Sequence, residues 1–397
     1  MTSLRQALWS SVSGMKVSQS GLAVVSHNLA NADTEGYSRQ SVSIGTRAPT
    51  KVMGRSDGFN AMGSGAELNG VTRAHSAFLE KQLIRDRLAK GFYSGRNEAL
   101  DLYERTFDNG STATISDRMD TFFNRARELS QDPSAFGIRR MVVDDAQDVA
   151  KAFRDNMNDA HTLRESIDDG LAAKIQRINT LAENIAVSNE RIGAMESTGN
   201  AANDFRDERE RMIRELSDLI DVKVNVQESG RIDVDVANGY SLVSGEVVTR
   251  LELRPNSNNA GLLSIHRISF NGTRSEDITS QITQGEVGGI LDVRDKVIGG
   301  QMAQINRLAE AFIEEVNAIH RAGFGLDGVD GRDLFVTPAD PAESASTMTV
   351  EAAVIADPNL IAASEAADTL PGDNRNLLRL TEVQERNLAS LGGVTLN

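Results

Sequence analysis

Apolar residues recur at alternating spacings of four and three through Leu4, Leu8, Met15, Leu22, Val25 and Leu29, with Ser11 and Ser18 filling the gaps. This is the seam of a coiled-coil helix, and it predicts one amphipathic helix from Leu4 to Asn31, roughly 40 Å long at ~1.5 Å per residue. Beside the seam, Ala7, Gly14, Gly21 and Asn28 fall at seven-residue intervals and leave a flank of nearly bare backbone that another helix can approach closely. Two interior glycines cost about 1 kcal/mol each against Ala, so the helix is expected to form only against a partner.

After Asn31 the pattern breaks. Asn28 and Asn31 fit a helix ending and Gly36 a following turn. Ser41 to Ile44 and Lys51 to Met53 alternate around Pro49 and predict a hairpin with each other, whereas the Gly-rich run Gly54 to Gly70 reads as a flexible turn. That run contains Gly63-Ser64-Gly65, but no Lys-Ser/Thr follows and no strand feeds it, so it is not read as a phosphate loop. A helical pattern from Ala74 to about Phe107 carries Phe78, Leu79, Leu83, Leu88, Leu100 and Tyr103, with Gly91 and Gly95 as candidate interruptions and Asn109-Gly110 as its end. Ile115, Met119, Phe122, Phe123, Ala126 and Leu129 trace one face of a shorter helix.

Asp132-Pro133 reads as a cap with proline at the first helical position, opening the longest element, from about Ser134 to Met195. Its apolar residues, from Val142 through Phe153, Leu163 and Leu171 to Ile185, stay three and four apart, and only Gly170 interrupts. Unbroken, it would measure on the order of 90 Å; the alternative is two helices meeting near Asp168-Asp169-Gly170. A charged helix follows, Phe205 to Leu216, whose Glu and Arg residues are spaced to pair along a solvated face.

The period then changes to two. Val222, Val224 and Val226, then Ile232, Val234 and Val236, alternate with polar residues about Ser229-Gly230, and further strand-like pieces run to Phe270 before the tight-turn pair Asn271-Gly272. Residues 222–282 therefore read as an all-β insertion. Helical spacing returns through Leu291, Ile298, Met302, Ile305, Leu308, Phe312, Val316 and Ile319, then Thr347 to Val354 reads as a strand and Gly372-Asp373-Asn374 as the start of a last helix. The Asp- and Gly-rich loop Asp327 to Asp333 lacks the terminal Glu and twelve-residue spacing of an EF-hand and reads as an acidic turn.

Composition narrows the function. A chain of 397 residues holds two or three domains, and 5% aromatic content means a core built mostly of aliphatic residues. A net charge of −15 without a basic face argues against nucleic acid. No apolar run reaches the ~20 residues of a membrane span, and the first residues lack the pattern of a cleaved signal peptide. There is no cysteine, which removes thiolate metal sites, cysteine nucleophiles and disulfides. His27, His75, His161, His266 and His320 show no ligand spacing, and there is no nucleophile elbow or dinucleotide fingerprint. Asp144-Asp145 and Asp168-Asp169 lie in helical stretches, where neighbours point apart. No catalytic, cofactor or metal constellation emerges.

The stretch Ser26-His27-Asn28-Leu29-Ala30-Asn31-Ala32-Asp33-Thr34-Glu35-Gly36-Tyr37-Ser38-Arg39-Gln40 resembles the N-terminal signature of bacterial flagellar rod, hook and hook-associated proteins. Asn28, Asn31, Thr34, Gly36, Tyr37 and Arg39 carry it, with Glu35 where that signature often has proline. Phe205 to Arg209 continuing through Asp218-Leu219-Ile220, Gly285 to Asp295, and Val316 to Gly323 are similar, in the same order, to hook-associated proteins of the hook–filament junction.

The resemblance implies a non-enzymatic structural protein, mainly α with a β insertion: an elongated, multi-domain, flagellin-like bundle of long helices. Residues 1–35 form an axial inner-tube helix, 36–221 with 283–397 the helical core with a small hairpin, and 222–282 an all-β outer domain. It implies export by the flagellar type III apparatus without a cleaved signal peptide, and a ring of subunits outside the cell. Implied neighbours are hook protein and a second junction protein on the filament side. The family's C-terminal heptad helix has no counterpart before Asn397, so a chain cut short there is expected, with coverage of the stripe by neighbours as the alternative. The family's export chaperone recognises that segment, so its binding to this chain is not implied. A rod or hook subunit, or a cytosolic coiled-coil adaptor, remains as an alternative.

Overall fold

The computed structural model describes residues 2–53, 59–107, 114–227, 229–387, 393 and 395. The chain forms two compact units, residues 1–97 with 170–290, and residues 98–169 with 291–397. Both are mainly helical, and the sheets are small and antiparallel.

The first unit begins with helix α1 (Thr2–Ala30), followed by β1 (Gln40–Thr46), β2 (Thr50–Met53), β3 (Phe59–Met62) and β4 (Ala66–Arg73). The expected pairing of β1 with β2 does not form. β1 pairs with β4, Gln40 opposite Arg73, with a register shift between Ser43 and Ile44, and β2 pairs with β3 inside it. The Gly-rich run hides β4, because Gly65 and Gly70 punctuate an alternation that still gives one edge to β1. Residues 54–58 of that run, and the Asn109-Gly110 stop, lie outside the described residues.

Helix α2 (Ala77–Phe107) runs unbroken through Gly91 and Gly95. These glycines are close-approach points. A Cβ at Gly91 would lie 2.1 Å from the Asp218 carbonyl, and one at Gly95 2.1 Å from the Glu286 carbonyl. Helix α3 (Ile115–Gln131) opens on a capping box between Thr114 and Asp117. Asp132 then makes a turn rather than the expected cap, accepting from the Ser134 amide and hydroxyl, and α4 starts at Phe136.

Helix α4 (Phe136–Ser197) is one element of 62 residues, continuous through Gly170, so the two-helix alternative falls away. Its apolar residues at threes and fours are buried along its whole length, from Val142 and Phe153 to Ile178 and Ile192. Helix α5 (Asn203–Leu219) leads into β5 (Val222–Val226), β6 (Ile232–Val236), β7 (Tyr240–Ser244) and β8 (Val247–Val248), a four-stranded meander. Strands β9 (Arg250–Pro255), β10 (Leu263–Ile268) and β11 (Ser275–Asp277) make a second sheet in the order β11-β10-β9. Residues 222–282 thus supply two sheets. Helix α6 (Gly285–Leu291) passes into a π-helical stretch, Asp292–Ile298, and then α7 (Gly299–Ala322).

The second unit is organised on rings. Phe122, Phe123, Phe153, Phe312 and Phe335 are fully buried with centroids 5.3 to 6.4 Å apart, most of them edge to face. The π-helical stretch buries Arg294, which pairs with Asp168 and Asp295, while Arg164 donates to the Arg294 carbonyl and to Asp295. The expected strand from Thr347 to Val354 is absent: Val350 makes a single bridge to Phe335, and the Ala-rich residues after it coil into α8 (Ala352–Ala356). The last described α-helix, α9 (Arg375–Glu382), follows Asn374 as the turn residues suggested. The acidic loop is closed by arginines, Asp327 on Arg332 of the loop itself and Asp333 on Arg321 at the end of α7.

α7 and the loops after it are joined by two buried side chains one turn apart. Asn317 accepts from the amides of Leu334 and Phe335 and donates to the Phe335 carbonyl. His320 donates from Nδ1 to the Arg332 carbonyl at 2.7 Å and accepts at Nε2 from the Ala362 amide at 3.1 Å, which fixes it as the neutral Nδ1–H tautomer. Burial pushes its pKa below the ordinary 6.5; the hydrogen bond to the Arg332 carbonyl and the Asp333 charge oppose the fall, and the Arg332 and Arg139 charges add to it. The unfolded chain therefore binds a proton at His320 before the folded one does. Its contribution to stability is complete above pH 6.5 and is lost as the pH falls below that value. We expect the urea midpoint to drop between pH 7 and pH 5, and His320→Gln to flatten that slope by up to one proton, about 1.4 kcal/mol per pH unit. An unchanged slope in the variant would contradict the assignment.

Candidate functional site

All six seam residues of α1 point away from the rest of the chain. Leu4 is 79% exposed, Met15 70%, Leu22 72% and Leu29 78%, and Leu8 and Val25 are exposed by more than 60%. Among the described residues of α1, Val17 is the one buried apolar side chain. Nothing lies within 4 Å of the Cβ positions of Gly14 and Gly21, so among the described residues that stretch of the bare flank is unoccupied. A long helix whose apolar edge meets water is an apolar face left without a partner in the chain's described residues.

What holds α1 is polar. Near its middle, Ser13 Oγ accepts from the Ala66 amide at 3.2 Å, and the hairpin comes close enough there that a Cβ on Gly65 would meet that hydroxyl. At its end Asn28 is clasped. Its Oδ1 accepts from the Tyr37 hydroxyl at 2.7 Å and the Gln40 amide at 2.9 Å, and its Nδ2 donates to the Gln40 carbonyl at 2.8 Å. Asn31 donates to the His27 carbonyl and accepts from the Thr34 hydroxyl, closing the helix, and Gly36 supplies a left-handed turn at φ +81°. Tyr37 also stands edge-on to His27, with ring centroids 5.5 Å apart. Burial and the carboxylates of Asp204 and Asp207 push the Tyr37 hydroxyl above its ordinary pKa, so it keeps the proton it donates. Asn28, Asn31, Thr34, Gly36 and Tyr37 are thus brought together; Arg39 is exposed and lends its carbonyl to the Ala74 amide.

The other half of the site is α5, and here the sequence reading holds for one face only. Asp204, Glu208 and Arg211 are exposed and Arg214 lies 3.9 Å from Glu210 one turn earlier, but Asp207, Arg209 and Glu210 are buried. Asp204 accepts from the Gln40 side chain at 2.7 Å and lies 3.3 Å from His27 Nε2. Asp207 accepts from the Ser38 amide at 2.9 Å and from Arg73 at 2.6 Å, while Arg73 also pairs with Glu210. Burial opposes the Arg73 charge, but Glu210 and Asp207 hold its pKa above the usual guanidinium value. Arg209 donates to the Asn189 side chain and the Gly230 carbonyl; burial, aided by Arg206, lowers its pKa to about 10, so it stays charged at neutral pH. One signal for this was in the sequence: Asp207, Glu210 and Arg214 share a helix face by spacing, and so extend the three-and-four pattern beside Met212, Ile213 and Leu216.

Ligand chemistry is absent from the described residues of this region. His75, Glu80 and Glu210 bring candidate metal-ligand atoms within 4.8 Å of one another, but Arg214 forks onto Glu80 and Arg73 takes Glu210, so guanidinium groups already supply the positive charge. A shallow pocket of about 250 Å³ lies between the signature turn and α5, lined by Asn31, Glu35, Tyr37, Asp204 and Arg211 among others. Both ring nitrogens of its histidine, His27, are engaged, by Asp204 and by Asn31. The arrangement fixes a turn rather than a reaction. Among the described residues no helix is long and apolar enough to cross a membrane.

Residues 100–335 match the family model for the flagellar hook-associated protein FlgK helical domain, and residues 8–37 match that of the flagella basal body rod protein. The chain is 26% identical over 329 residues to flagellar hook-associated protein 1 of Escherichia coli (strain K12), covering 82% of this chain and 58% of that protein. It is 25% identical over 361 residues to flagellar hook-associated protein 1 of Bacillus subtilis (strain 168), covering 84% and 71%. The solved structure of the flagellar hook junction protein FlgK from Burkholderia pseudomallei is similar at a TM-score of 0.57 and 25% identity, over 65% of this chain and 47% of that one. The chain therefore spans 58% of the length of the Escherichia coli relative.

Proposed function

Because this chain belongs to the family of the flagellar hook-associated protein FlgK helical domain, we propose that it is a structural component of the bacterial flagellum that joins hook to filament. The observation that carries this is the open seam Leu4, Leu8, Met15, Leu22, Val25 and Leu29 on a helix held at its base by the signature turn. The protein works by packing and performs no catalysis. Residues 1–35 are its axial module, 36–221 with 283–397 its helical core and 222–282 an outward all-β module, functional divisions that cut across the two compact units. Subunits close into a ring between hook protein and a second junction protein on the filament side, after export by the flagellar type III apparatus without a cleaved signal peptide.

Deletion of the gene tests this directly. The expected cells carry hooks without filaments and shed flagellin monomers into the medium. Cells without hooks would sink the junction role in favour of a rod or hook subunit. An extracellular level of the protein that does not change when the export apparatus is removed would overturn the axial reading altogether.

A further inference from the structure

We infer that Asp207 is the positioning residue that sets the direction of α1. The inference rests on the assembly reading for its consequence and on geometry for its content. Val17 is the one buried apolar side chain described on α1, so packing alone does not fix its orientation. α1 is tied to the β1/β4 hairpin by Asn28 on Gln40 and by Ser13 on the Ala66 amide, and directly to α5 by His27 beside Asp204; the hairpin in turn is anchored on α5. Both ends of that hairpin converge on one carboxylate. Ser38, just before β1, donates its amide to Asp207 Oδ2, and Arg73, the last residue of β4, donates to Oδ1. Asp207 is 6% exposed, so water screens neither bond well. Asp204, one turn earlier on α5, holds the Gln40 side chain and guides the same turn.

The lever is long. α1 has 29 residues, and a tilt of about 10° at the base of such a helix moves its far end about 7 Å, close to a whole interaxial spacing between packed helices. A seam aimed that badly would miss the neighbouring helix.

The cysteine-free chain allows a direct test. Ser11→Cys and Gln176→Cys place spin labels at exposed positions on α1 and α4, both within the first unit. Double electron–electron resonance on the otherwise unaltered full-length protein is expected to give one narrow distance peak. Adding Asp207→Ala should roughly double its width while far-UV circular dichroism keeps its helical signal. Asp207→Asn, which still accepts the Ser38 amide but loses the ion pair to Arg73, should fall between the two. A peak of unchanged width and mean in Asp207→Ala overturns the inference, and if that variant loses its helical signal, an unchanged peak in Asp207→Asn does so instead. Failure of the assembly reading shows separately, as a variant with charged seam residues that still builds flagella, and leaves the distance measurement untouched.

Discussion

Replacing Leu22 and Leu29 together with Asp is expected to leave the purified chain folded and to abolish its incorporation into flagella. The two halves of that result come from one observation. Both side chains are more than two-thirds exposed in the chain, at 72% and 78%, so the isolated protein loses no core contact, and its stability should fall by no more than about 1 kcal/mol for the pair. In the proposed assembly, each new carboxylate would be buried without a partner at a cost of several kcal/mol, repeated at every copy. Complementation of a deletion strain, scored by motility and by electron microscopy of the hook ends, reads the effect. Normal motility with both substitutions in place would show that the seam is not an assembly surface. Lys at the same positions should behave alike, because the penalty belongs to the unpaired charge and not to its sign.

Local periodicity carried much of the helical architecture. The spacing of threes and fours in α4 was legible over its full length because every turn buries a residue on the same side, and an interior glycine did not break it. The alternation of β5 and β6 about Ser229-Gly230 was legible for the same reason at period two. Pairing was not. β1 has two alternating candidates downstream, and the choice of β4 over β2 depends on a register that a local window does not contain. Val350 has the side chain of a strand residue but finds a single bridge, so β propensity without a second strand ends in a short helix.

The candidate site was half legible. The signature turn stood out because Asn, Gly and Tyr each do something no neighbour can: Asn28 bonds a backbone on both its edges, Gly36 takes a left-handed turn, and Tyr37 reaches back to the helix end. Its counterpart on α5 looked like solvent-facing charge. A charge run and a buried ion-pair network have the same composition, and what separates them is the partner, here Arg73 and the Ser38 amide, more than a hundred residues earlier. The same holds for Gly91 and Gly95, which read as helix breakers because their reason for being glycine lies on other helices.

Those other helices supply the second large effect. Gly289→Ala should destabilise the first unit by about 3 kcal/mol, at the upper end of the cost of overpacking. A Cβ built there falls 2.0 Å from the Phe92 carbonyl oxygen and 2.7 Å from the Arg96 nitrogen, both backbone atoms of α2 that cannot rotate away. Relief requires α6 and α2 to part by roughly 1 Å, which also loosens the contacts at Gly95 on Glu286 and the ion pair between Lys174 and Glu286. Gly91→Ala, 2.1 Å from the Asp218 carbonyl, should act the same way against the end of α5, and the double substitution should leave the unit unfolded at room temperature. Gly170→Ala is the contrast. It sits inside α4 with nothing within 4 Å of its Cβ position, so the methyl meets no atom and removes only unfolded-state entropy, for a gain of about 0.5–1 kcal/mol. Urea unfolding followed by circular dichroism compares the three. Equal midpoints for Gly289→Ala and the parent would mean that the helices do not touch backbone to backbone, and would remove the reason these positions lack side chains.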